Sequence, residues 1–306
     1  MNEKISILKE NIEKRIVGKG ELVDRLIIAL LAEGHVLIED VPGMGKTSLA
    51  KALADSLSLS FSRIQCTPDT MPGDIIGLSI YNSGTRTFEV MPGPVMNNIV
   101  LADELNRTSP KTQAALLEAM EEGKVTIDGK DMDLPLPFMV IGTQNPMESA
   151  GTYPLPESQL DRFMMRLSVG YPDKDDEVYM ADLFLKGDLH EETKAVLTGE
   201  DIQDLRKLVK EVRVNEDLVN YAVSIVEGTR TDPEISCGAS PRALLSTLRC
   251  AQAHAMYAGR DYCIPEDIIN ASMLTLPHRI MLTAQARMNR LSQARVLKAI
   301  IDHIKV

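Results

Sequence analysis

Gly45, Lys46 and Thr47 close the run "HVLIEDVPGMGKT", in which a glycine-rich turn joins an apolar stretch to a helical one. A strand, turn and helix in that order aim several backbone N–H groups and a helix N-terminus at an anion. Gly43 and Gly45 let the backbone approach phosphates without a Cβ in the way. Lys46 carries charge to the outer phosphates, and Thr47 offers a hydroxyl to Mg²⁺. Met44 and Ser48 complete the candidate cradle. The pattern GxxxxGK[ST] asks for a first glycine where this chain has Asp40. An aspartate is tolerable there if its φ is negative, and its charge predicts a carboxylate turned away from a triphosphate.

A second constellation is "NNIVLADELNR", an apolar strand ending in Asp103 and Glu104. Phosphoryl transfer to water needs one carboxylate to hold Mg²⁺ and one to orient the attacking water. Adjacent residues at a strand end point differently, so Asp103 is assigned to the metal with Thr47, and Glu104 to the water. The next apolar run, "FMVIGTQNP", ends in Gln144 and Asn145, amides suited to the water or the γ-phosphate, or to the turn before Pro146. Arg162, in "YPLPESQLDRF", follows a helical stretch and in a βαβ order does not easily reach its own loop; a neighbour's site is open to it. In "GASPRALL", Ser240 can cap a helix that has Pro241 first and Arg242 in its first turn. A cation there opposes the helix dipole, which favours an arginine kept for a ligand.

The elements that must position these residues alternate between short apolar runs and helical spacing. That pattern argues for βαβ units and a parallel sheet. Strands are expected at "HVLIED", "SFSRIQCT", "NIVLADE", "PFMVIGTQN" and "RLSVGYP". Between the third and fourth, Ser109 reads as a cap, Pro110 as the first helical residue and Gly123 as the stop. The Gly- and Pro-rich stretch 67–94 reads as an inserted hairpin turning at Ser83-Gly84, either a decoration or a working loop. From Asp176 onward only helical patterns appear. The expectation is an α/β core over 1–172 and a smaller all-helical domain over 173–306.

Composition narrows the function classes. With 44% hydrophobic and 25% charged residues, the 306-residue chain reads as globular and able to bury a sizeable core. A net charge of −11 argues against duplex DNA as partner, since phosphates call for clustered Lys and Arg. No run is apolar enough to span a membrane, and the charged start lacks the core of a signal peptide, so the cytoplasm is expected. Cys66, Cys237, Cys250 and Cys263 are scattered without CxxC spacing and read as free, mostly buried thiols rather than a zinc site. The 16 methionines suit core filling or adaptable surfaces.

Taken together, "HVLIEDVPGMGKT", "LADELNRTSPKTQAALLEAMEEGKVTIDG", "GTQNPMESAGTYPLPESQLDRF" and "GASPRALL" resemble the MoxR-type AAA+ ATPases along nearly the whole chain. The resemblance implies a five-stranded AAA+ P-loop core, a helical lid, and hexameric rings with ATP sites between subunits. It makes Lys46 and Thr47 the Walker A pair, Asp103 and Glu104 the Walker B pair, and Asn145 the sensor of the fourth strand. Arg162 matches the arginine finger acting on a neighbour, and Arg242 the second sensor on the lid. In "RIVGK", Val17 and Gly18 match the adenine-side motif, with Lys19 where the family usually has Gln. The 67–94 hairpin matches the insert that marks this clade, which favours a working loop. The resemblance further implies remodelling or maturation of client proteins, often with a von Willebrand factor A domain partner. Two other classes stay open: a nucleic-acid-acting AAA+ motor or transcription activator, and an ATP-gated scaffold with little turnover. The GAFTGA loop of the activators is absent.

Overall fold

The computed structural model describes residues 2–40, 44–145, 151–186 and 193–305. Helices α1 (Glu3–Glu13) and α2 (Gly20–Leu31) precede β1 (Val36–Glu39), which feeds α3 (Lys46–Ser56) and then β2 (Phe61–Gln65). A short α4 (Pro72–Ile76) leads into a hairpin of β3 (Gly77–Asn82) and β4 (Thr87–Pro92), and the chain returns through β5 (Ile99–Asp103). Next come α5 (Pro110–Glu122), a second hairpin of β6 (Lys124–Ile127) and β7 (Lys130–Asp133), then β8 (Met139–Gln144), α6 (Glu157–Leu160) and β9 (Met165–Leu167). The five expected strands form one sheet in the order β2-β5-β8-β1-β9, every pairing parallel. The fifth is shorter than its apolar run, ending at Leu167.

Strand side chains alternate between two cores, as a period of two requires. Val36, Ile38, Ile99, Leu101, Met139 and Ile141 face one cluster with α1, α2 and α3. Leu37, Val100, Ala102 and Val140 face the other, with Leu116, Leu117 and Phe163. Covered on both faces, the strands can be nearly continuous in apolar residues.

Local chemistry sets the element limits. The Ser109 side chain accepts the Thr112 N–H, Pro110 opens α5, and Gly123 closes it with φ 64°. The first hairpin turns over Ser83–Arg86 rather than two residues, because Asn82 pairs with Thr87 and Arg86 takes φ 55°. At its root Gly77 and Gly93 cross closely: a Cβ on Gly77 would lie 2.4 Å from the Met91 carbonyl oxygen and 2.6 Å from the Gly93 nitrogen. The second hairpin was not expected from the sequence.

After α7 (Lys174–Lys186) the chain continues in α8 (Gly199–Glu211), α9 (Glu216–Thr231), α10 (Pro241–Tyr257), α11 (Pro265–Thr275), α12 (Ala284–Met288) and α13 (Gln293–His303). One departure from an all-helical reading is a short antiparallel pair, β10 (Ile235–Cys237) with β11 (Met281–Leu282). The helical part rests on α2: the Arg206 guanidinium of α8 donates to the Leu30 carbonyl at 3.0 Å, and the Tyr257 hydroxyl of α10 donates to Asp24. That double cover explains why α2 is buried from Leu26 through Leu31. No helix among the described residues is long and apolar enough to cross a membrane.

Candidate functional site

In a parallel sheet all strands end on one edge, and that edge gathers the residues after β1, β5 and β8. A cavity of about 330 Å³ there is lined by Met44, Gly45, Lys46, Thr47, Asp103, Glu104 and Asn145, with Arg63 and Gln65 from β2. Gly45 caps α3 with φ 77°, a conformation that a side chain disfavours, so glycine suits this turn. Burial pulls the Lys46 ammonium below the ordinary lysine value, against the attraction of Asp103, Asp40 and Glu104. The predicted Gly43 lies outside the described residues.

The two acids are organised by a residue that sequence reasoning missed. Thr143 donates its hydroxyl to Asp103 Oδ1 at 2.7 Å and accepts the Glu104 N–H at 2.8 Å. Arg63 donates to the other Asp103 oxygen at 2.6 Å. Glu104 adopts φ 57°, ψ 46°, a left-handed backbone rare outside glycine, which turns its side chain away from the strand direction. Its Oε2 accepts Gln65 Nε2 at 3.1 Å and Arg107 Nη1 at 3.0 Å. Gln65 arrives because β2 pairs with β5 in the register Gln65 to Asp103. Of the two amides after β8, Gln144 is engaged by Glu39, while Asn145 lines the cavity and is 6% exposed. Nearby, burial and the Asp103 and Glu104 carboxylates push the Cys66 thiol up to about 12, so it stays protonated at neutral pH.

A second cavity of about 210 Å³ shares Met44 and Gly45 with the first and runs to Ile16, Val17, Ser48, Val169, Gly170 and Pro172. The pair forms one elongated site, polar at one end and apolar at the other. Val17 lines the apolar end; Gly18 has φ 70°, and a Cβ on it would overlap Asp176 of α7. Asp40 is not among the described residues with positive φ. Its Oδ2 accepts the Val169 and Gly170 N–H groups at 2.8 and 2.7 Å and the Ser168 hydroxyl at 3.1 Å. The carboxylate thus faces the chain leaving β9, while the Asp40 carbonyl accepts from the Lys46 ammonium at 2.7 Å.

Arg162 and Arg242 lie elsewhere, together. Both pair with Glu121 at the end of α5, Arg162 at 2.9 Å. They line a cavity of about 230 Å³ with Gly34 and His35, which precede β1. This is the opposite edge of the sheet from Lys46 and Asp103, so neither arginine joins the phosphate loop of its own chain. The helical part grips the segment around Arg162: Ser240 donates to both Asp161 oxygens at 3.1 and 3.0 Å, and Arg279 donates to the Asp161 and Phe163 carbonyls at 3.0 and 2.9 Å.

Comparison with known proteins bears on this geometry. Residues 35–165 match the family model for the ATPase family associated with various cellular activities (AAA), and 227–300 match an AAA lid domain. The chain is 48% identical over 297 residues to the uncharacterized protein YeaC of Bacillus subtilis (strain 168), covering 97% of this chain and 93% of that one. It is 39% identical over 302 residues to chaperone MoxR1 of Mycobacterium tuberculosis, covering 96% and 80%. A crystal structure of an ATPase candidate from Cytophaga hutchinsonii superposes with a TM-score of 0.92 at 38% identity, covering 99% of this chain and 94% of that one. With an α/β core, a lid and relatives of this closeness, the chain belongs to the MoxR-type AAA+ ATPases.

Proposed function

We propose that this protein hydrolyses ATP with Mg²⁺ in a ring of identical subunits, hexameric by the family resemblance, and uses the cycle to remodel or mature partner proteins. Membership of an ATPase family supports ATP hydrolysis in general, and the chaperone name of the MoxR1 relative supports the remodelling role. The observation that carries the reading is Glu104, a carboxylate beside Lys46 and Asp103 in one cavity, held by Gln65 and Arg107 in a strained backbone.

In this reading Lys46 contacts the outer phosphates, and the apolar end at Val17 and Gly18 takes adenine. Gly43, Met44, Gly45 and Ser48 complete the cradle. Thr47 and Asp103 fit Mg²⁺, because one hydroxyl and one carboxylate suit a hard cation that keeps waters and shares phosphate oxygens. The ion supplies charge neutralisation of the transferred phosphoryl group. Glu104 orients the attacking water, and Asn145 holds that water or the γ-phosphate. Arg162 and Arg242 serve the neighbour's site, in keeping with their position on the far edge of the sheet.

The core spans 1–172 and the lid 173–306, so Arg242 and the Asp161 clamp relay lid movement to the segment carrying Arg162. The 67–94 hairpin exposes Leu78, Tyr81, Phe88 and Met91 and is the segment proposed to touch clients, with a von Willebrand factor A domain protein as a further partner. The protein is proposed to act in the cytoplasm.

The test is complementation between two inactive chains. Glu104→Gln keeps ATP binding without turnover, and Arg162→Ala lacks the trans arginine. Mixed, they recover activity wherever an intact Glu104 meets an intact Arg162. Mixtures as inactive as the separate chains sink the trans assignment, and a Glu104→Gln chain with native turnover sinks the role of Glu104.

A further inference from the structure

Lys19, which lines the apolar end of the site, and Asp40, at the exit of β1, belong to separate segments, and both turn their charge onto the same short stretch of chain. Lys19 Nζ donates to the carbonyls of Gly170 and Tyr171 at 3.0 and 2.8 Å. Asp40 Oδ2 accepts the N–H groups of Val169 and Gly170 at 2.8 and 2.7 Å. Gly170 is therefore bonded to an anion through its N–H and to a cation through its carbonyl. Each of these is a charge-assisted hydrogen bond, stronger than a neutral one. Gly170 has φ 63°, and a Cβ there would meet nothing within 4 Å, so the backbone conformation and not crowding favours glycine.

The braced stretch is a wall of the site. Val169, Gly170 and Pro172 line its apolar end, while Asp40 is the residue from which the phosphate loop departs. The backbone of Asp40 reaches the other end, since its carbonyl accepts from the Lys46 ammonium. One residue thus ties the wall that would face a base to the loop that would face phosphates.

We infer that Asp40 and Lys19 are positioning residues for nucleotide selectivity: they brace residues 168–171 so that the base end of the site contributes to affinity alongside the phosphate end. The inference rests on the nucleotide reading of the cavity. It explains an aspartate in place of the first glycine of the pattern, because a glycine has no carboxylate to reach Val169 and Gly170.

The experiment titrates the full chain, with Mg²⁺, against two probes, ATP and inorganic tripolyphosphate. Tripolyphosphate reports on the phosphate loop alone. Asp40→Asn weakens ATP binding by about tenfold, the scale of a lost charge-assisted hydrogen bond, and leaves tripolyphosphate within about twofold of native. Asp40→Gly, which restores the pattern glycine, shows the same split if the near-isosteric variant proves too mild. Lys19→Gln shifts ATP alone by a smaller factor, and the double variant loses less than the product of the two, since both act on one segment. Equal losses for both probes overturn the inference, as does native ATP affinity in both Asp40 variants. Lys46→Ala separates this from the parent reading: if that chain binds both probes as the native one does, the nucleotide assignment itself falls.

Discussion

Arg162 and Arg242 close on the two oxygens of a single carboxylate, Glu121, from opposite sides of the junction between core and lid. A third guanidinium, Arg279, and the carboxylates of Glu33 and Asp161 line the same cavity, so the charges on this edge are closely matched. The edge lies at the start of β1, whereas the Lys46 cavity lies at the strand's far end.

Removal of the first arginine gives the clearest kinetic outcome. Arg162→Ala is expected to lower turnover by roughly 10³-fold or more, the scale of a lost arginine finger. ATP affinity of the same chain should change little, because its own cavity keeps every group. Arg162→Lys should recover little, since an ammonium lacks the planar fork. Steady-state phosphate release beside equilibrium ATP binding checks both.

Thr143→Val should damage catalysis without touching any group assigned to the phosphates. It removes the donor to Asp103 and the acceptor for the Glu104 N–H in one nearly isosteric change. Turnover is expected to fall by about 10–10²-fold, with a stability loss of about 1–3 kcal/mol for unpaired groups. A kcat effect well above the KM effect is the signature, measured on chain shown by circular dichroism to be folded.

Arg279→Met tests the clamp behind Arg162. The Arg279 side chain is 2% exposed and lies 3.3 Å from Asp161. Breaking a buried pair by removing one partner costs about 3–5 kcal/mol. Urea unfolding should show that loss, with a smaller one for Ser240→Ala, because Asp161 then keeps its arginine.

Two buried histidines make stability depend on pH. Burial holds His35 down at about 4, with Arg206 adding to the effect and the Met120 carbonyl opposing it. Burial and the Arg279 charge hold His278 down at about 3. Both values lie below the unfolded histidine value of about 6.5, so the unfolded chain binds more protons as pH falls. The stability linked to each is fully present above about 6.5 and declines below it by about 1.4 kcal/mol per pH unit, until the folded value is reached. Urea midpoints between pH 7.5 and 5 should show the decline, and His35→Gln should remove one share of it.

Much of the site was legible because strand ends announce themselves. Asp103 and Glu104 follow an unbroken apolar run, and Ser109, Pro110 and Gly123 mark α5 by local rules that tertiary contacts do not override. Gln65, Arg63 and Thr143 were not legible as partners of those acids, since their role depends on β2 and β8 flanking β5. Glu121 is a further case: nothing around it in sequence signals that two distant arginines will meet there. The β6–β7 hairpin did carry a signal, Asp128-Gly129 between alternating residues, and both take the positive φ of a tight two-residue turn.

The polarity of the sheet has a consequence for counting. If the arginine edge of one subunit completes the phosphate edge of the next, the contact is head-to-tail, a geometry that either closes into a ring or extends without limit. An open run of such subunits always has one fewer complete site than it has chains, and a lone chain has none. Only closure makes the two numbers equal, so turnover per chain would rise with concentration and then level off once every chain has a neighbour on both sides.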